Sequence, residues 1–138
     1  LASIMLIMSS ATLFAQNDSS DWERNSNYNR MYDVKTVTEI KGQVMTVEQV
    51  APTQGMSFGI HITVKTESET ISVHLGPKWY LDKQTIQIKK GDEVIVKGSN
   101  ILLNGKRVII AKEINKGGNI LNLRDENGIP NWAGKRQH

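Results

Sequence analysis

Ser57-Phe58-Gly59-Ile60-His61-Ile62-Thr63-Val64-Lys65 and Thr70-Ile71-Ser72-Val73-His74-Leu75 carry the clearest period in the chain. Phe58, Ile60, Ile62 and Val64 alternate with polar or small residues, and Ile71, Val73 and Leu75 do the same. This two-residue rhythm is that of strands with one buried face. Thr66-Glu67-Ser68-Glu69 joins the two runs and suits a hairpin turn. With Glu67 and Ser68 at its tip, Val64 faces Ile71, Ile62 faces Val73 and Ile60 faces Leu75. A slip of one residue would set each apolar residue against a polar one, so the pattern fixes the register.

The flanks extend this hairpin. Residues 34–50 are rich in Val, Ile and Thr and contain Gly42, which predicts a long first strand bent or bulged at the glycine. Gly76-Pro77 breaks the third strand, and Lys78-Trp79-Tyr80-Leu81 fits one short helix with Pro77 at its start. Beyond the Lys90-Gly91-Asp92 turn, residues 93–99 and 107–114 read as strands joined through Asn104-Gly105, a type I′ signal. Strict pairing there sets Val94 and Val96 against polar residues, so a one-residue bulge is expected near residues 98–100. Leu121 and Leu123 precede the turn Asp125-Glu126-Asn127-Gly128, and Trp132 is expected to pack back over the strands.

This order is strand, hairpin, short helix, hairpin and C-terminal extension. It is the order of a five-stranded OB-type β-barrel, with its one helix between the third and fourth strands, and it makes the chain all-β. The residues resemble the small exported bacterial OB-fold proteins of poorly defined function. Gly42, the block from Val73 to Leu81, Gly91-Asp92-Glu93-Val94 with Lys97-Gly98-Ser99, and the closing Leu123-Arg124-Asp125 to Trp132 carry the resemblance. It spans residues 34–134 and implies a periplasmic OB-fold domain without assigning an activity.

Residues 1–15 hold no charge and read as the core of a secretory signal peptide that starts inside its leader, with cleavage after Ala15 or Ala11. About 15 apolar residues are short for a membrane span, so none is expected once the leader is removed. Residues 16–31 are too polar to offset the entropy of ordering and read as a disordered linker, in which Trp22 and Tyr28 are exposed aromatics. Residues 32–134 form the domain and 135–138 a basic tail. Of 138 residues, 38% are hydrophobic and 22% charged, which suits one domain of monomer size. Cys is absent, which removes disulfides, thiolate metal sites and Cys nucleophiles.

On the polar face of the hairpin lie Ser57, Gly59, His61, Thr63, Ser72 and His74. The register makes His61 and His74 direct cross-strand neighbours, with Cβ atoms about 4.5–5.5 Å apart. In OB folds this outer face is the usual ligand platform. His61, Thr63, Ser72 and His74, bordered by Lys65 and Lys78, are therefore the candidate ligand-binding residues. The expected function is an exported, non-enzymatic binding or accessory module, periplasmic or secreted, with a small ligand or a protein as partner. The alternative is metal or haem handling through His61 and His74, although two imidazoles leave a Zn site short of ligands. Single-stranded nucleic-acid binding is disfavoured. Lys89, Lys90, Lys106, Arg107, Lys112, Lys116 and Arg124 would supply phosphate contacts, but the one strand aromatic, Phe58, points inward in this reading. With no catalytic or cofactor motif, and no His beyond His61, His74 and His138, neither an enzyme nor a cofactor is expected.

Overall fold

The central hairpin forms in the register the alternation dictates. The computed structural model describes residues 27–51 and 58–133. Strands β1 (Val37–Val50), β2 (Gly59–Lys65) and β3 (Thr70–Pro77) are followed by the short helix α1 (Lys78–Leu81). Strands β4 (Glu93–Leu103), β5 (Lys106–Lys116) and β6 (Asn119–Asn122) complete the order. Val64 pairs with Ile71, Ile62 with Val73, Thr63 with Ser72 and His61 with His74. The register then slips between His61 and Ile60, so Ile60 faces Gly76 and not Leu75. Thr66 N–H closes the turn on Glu69 C=O at 2.8 Å.

The six strands make one sheet, ordered β3-β2-β1-β4-β5-β6, and a further β3–β5 pairing closes it in a ring. That pairing is parallel and joins Val73 to Ile109 and His74 to Ile110, while all the others are antiparallel. A ring of paired strands encloses a single interior. The interior is accordingly apolar, with Val44, Ile62, Val64, Val73, Val96, Ile109 and Ile114 all buried.

Three expectations change. First, the sheet has six strands and not five. Gly117 and Gly118, at φ 60° and 89°, make a tight turn that returns the chain beside β5 and buries Leu121 opposite Ile114. Second, β1 runs straight through Gly42, and its bulge lies between Val44 and Thr46. Gly42 serves close approach instead, because a Cβ there would strike the Lys65 carbonyl. Third, Phe58 is 60% exposed and does not point inward. It sits beyond the last β1–β2 pair, Val50 with Gly59, where the core has ended. The irregularity foreseen near residue 98 falls between Lys97 and Gly98, and the unpaired residue is Lys112 of β5.

Packing begins before residue 32. Two 3-10 turns, Asn29–Met31 and Val34–Thr36, precede β1, and Tyr28 and Asn29 are buried within the stretch read as linker. The leader, the linker up to residue 26, Trp22, Ser57 and the basic tail with His138 lie outside the described residues. Among those residues no helix is long and apolar enough to cross a membrane.

Candidate functional site

The hairpin turn and its register bring His61 and His74 face to face. Their rings lie 3.6 Å apart between centroids and only 9° from parallel. They are not on a wet surface, as the two-residue rhythm alone implies. His74 is 5% exposed, because β3 lies between β2 and β5 and the chain's own segments cover its outer side. Tyr28 stacks on the far side of His74 at 6.0 Å, and its hydroxyl is hydrogen-bonded to His74 Nδ1 at 2.9 Å. His61, Thr63 and Lys78 are half-buried, while Ser72 and Lys65 are exposed.

Gly76 continues the outer face two residues beyond His74, and Trp132 lies against it. A Cβ at Gly76 would stand 2.8 Å from the indole. Trp132 is buried as expected, and the Tyr80 ring rests 5.3 Å from it. Arg124 completes this cover. Its guanidinium sits 5.4 Å from the Tyr32 ring and 5.2 Å from the Trp132 ring. It donates to Gly128 C=O at 3.1 Å and to Asn29 Oδ1 at 2.8 Å. Two hydrogen bonds and two ring faces compensate a charge that burial would otherwise expel.

Burial sets the protonation of the pair. It lowers His61 to about 4. His74 falls to about 3, first through burial and then through the neighbouring His61 and the Arg124 charge. Both rings are therefore neutral at pH 7. Burial also lowers Arg124, to about 10, which leaves it a cation. The Tyr28 phenol is pushed up by burial and stays protonated.

This geometry restricts the chemistry. A metal shared midway between stacked rings would sit up to about 1.8 Å out of each plane, half of the 3.6 Å separation. A Zn–N bond is only about 2.0–2.1 Å long and follows the in-plane lone pair. The observed rotamers do not offer two such lone pairs to one ion, and Tyr28 occupies one nitrogen already. Among the described residues no three His, Asp or Glu side chains gather around a common point. What remains available is His61 Nε2, which is buried and has no hydrogen-bond partner among the described residues.

The candidate residues do not all meet. Thr63 Oγ1 is hydrogen-bonded to Thr46 Oγ1 at 2.9 Å and faces Ser72 across the hairpin. Lys65 lies by the turn and lines a separate cleft of about 790 Å³. Lys78 sits at the opposite end, paired with Asp82. Six residue-to-residue rises separate Lys65 from the Gly59 end beside Lys78, roughly 20 Å at the usual rise, so the two lysines do not border one small ligand. Two contributors escaped the sequence reading. Glu48 of β1 is the register partner of His61, which makes Glu48, His61 and His74 one row across three strands. Tyr28 is the other, hidden in a polar stretch.

The basic residues weighed for nucleic acid are mostly engaged. Arg107 pairs with Glu69, Lys112 with Glu126 and Lys116 with Asp92, and Arg124 is buried. Residues 36–121, well over half of the chain, match the model of a family described as the MamS/MamX magnetosome protein family. No curated protein matches the chain.

Proposed function

The chain belongs to the MamS/MamX magnetosome protein family, and on that premise we propose that it is an exported, non-enzymatic binding or accessory module acting at the magnetosome. The single observation behind this reading is the bare, buried Nε2 of His61. A buried polar atom without a partner costs about 1–3 kcal/mol, and a ligand group that hydrogen-bonds to it recovers that cost. Neutral His61, with Glu48 beside it and Thr63 and Ser72 further along the strands, offers a ligand directional hydrogen bonds without a net positive charge.

The OB-type barrel reading is supported by the closed pairing around β1, β2, β3, β5 and β4, and by the helix between β3 and β4. On that fold the outer face of β2 and β3 is where ligands sit, and it is the face that carries His61. Export is supported by the uncharged apolar leader at residues 1–15. Metal or haem handling by the pair gains no support from the stacked rings.

The test is co-sedimentation of the purified full chain with isolated magnetosomes. His61→Ala is expected to lower the bound fraction severalfold at a temperature at which circular dichroism shows the variant still folded. Equal retention of His61→Ala and the wild type would overturn the reading.

A further inference from the structure

The second feature lies away from the His pair and concerns backbone. β4 accompanies β1 only from Val37 to Gln43, and Val44 then exchanges hydrogen bonds with Gly91 and Asp92. Past the bulge at Met45, Thr46 to Val50 pair with β2 on one side alone, and among the described residues no strand pairs with them on the other. Alternate N–H and C=O groups along this edge therefore point outward unpaired. A cleft of about 480 Å³ opens there, with residues 45–48 on one wall and residues 88–90 on the other. Met45, Val47 and Val50 are exposed along the edge, and Phe58 extends the apolar surface at its end.

The wall facing this edge is basic. Lys89 and Lys90 are exposed, and neither ammonium meets a carboxylate among the described residues. A strand added about 4.8 Å from β1 would run between the edge and these lysines. Its backbone would satisfy the open groups, its apolar side chains would cover Met45 and Val47, and carboxylates on it would meet the lysines. A second copy of this chain complements the cleft poorly. It would bring two more lysines against a single glutamate per copy, Glu48, on a chain whose net charge is already +3.

We infer that the free edge of β1 takes up an extended segment of another protein as an added strand, one in which apolar residues alternate with carboxylates. This surface is independent of His61, so the two proposals stand or fall separately. The test uses ¹⁵N-labelled full chain and two capped hexapeptides, one alternating Glu with Val and one alternating Lys with Val. The Glu peptide is expected to shift the amides of residues 45–50 and 88–90 and to slow their hydrogen exchange. Reversing the lysines in Lys89→Glu/Lys90→Glu weakens it by about tenfold and lets the Lys peptide bind in its place. The inference is overturned by unshifted amides at millimolar Glu peptide, or by equal binding of the Lys peptide to the wild type. It is also overturned if the same amides shift with protein concentration alone, which assigns the edge to a dimer.

Discussion

The outer side of β3 and the outer edge of β1 face the same problem and meet it in opposite ways. At β3 the chain covers itself: Gly76 leaves room, Trp132 fills it, Tyr28 caps His74, and Arg124 bridges the two flanking segments through Asn29 and Trp132. At β1, residues 45–50 keep both apolar side chains and backbone groups uncovered. The covering residues Tyr28, Arg124 and Trp132 lie outside the family-matched span of residues 36–121, whereas the bare edge lies within it. At one surface the chain supplies much of its own cover, and at the other it leaves Met45, Val47 and Val50 exposed.

That contrast breaks first at Trp132. Trp132→Ala removes the largest fully buried side chain among the described residues and uncovers Gly76, so unfolding by urea is expected to become easier by about 3–5 kcal/mol. A loss below 1 kcal/mol would mean that the cover is no better anchored than the edge. His74→Ala comes next, at about 2–3 kcal/mol, since it removes a buried stacked ring and the Tyr28–His74 hydrogen bond. On a solvated face the same substitution would cost well under 1 kcal/mol, so this measurement separates the covered pair from an exposed one.

Mild acid acts first on the covered side. Unfolded His takes up its proton near 6.5, whereas the folded pair waits until about 4 for His61 and about 3 for His74. Both folded values are depressed, so the stability held by the neutral pair is complete above about pH 6.5. It drains away as the pH falls toward the folded values. Charged or titratable groups facing the pair are Arg124 and Tyr28 in the cover and Glu48 across from His61. Between pH 7 and about 5.5 a loss of about 2–2.5 kcal/mol for the two rings together is expected from urea unfolding. A His61→Gln/His74→Gln chain, compared with itself, should show a flatter profile over that window. An unchanged slope would place the titration elsewhere. Tyr28→Phe costs less, about 1 kcal/mol, for one hydrogen bond to His74.

The sequence made the β2–β3 hairpin and its histidine pairing legible because strict alternation leaves one register without polar mismatches. Of the cover it made Trp132 legible but not Tyr28, because a single tyrosine in Asn-Ser-Asn-Tyr-Asn gives no period and His74 lies 46 residues away. Glu48 stayed hidden for a different reason: the bulge after Val44 shifts the β1 alternation, so no register with β2 could be read through it. β6 stays illegible because Asn119–Asn122 is only four residues long, too short to show a period of its own. The wetness of the His face failed for a topological reason. Alternation tells which residues share a side of a strand, and only tertiary packing decides whether that side meets water.

The smallest expected effect is the sharpest test of the bare edge. Val47→Thr keeps the β-branched shape, adds a hydroxyl and touches a residue that is 40% exposed. Stability should stay within about 0.5 kcal/mol, as it does at surface positions that no partner covers. The same change removes apolar surface from the wall of the cleft, so it should weaken the Glu–Val peptide severalfold while leaving magnetosome co-sedimentation through His61 unaltered. A stability loss near that of His74→Ala would show Val47 to be covered by the chain itself, and the two surfaces would no longer differ in kind.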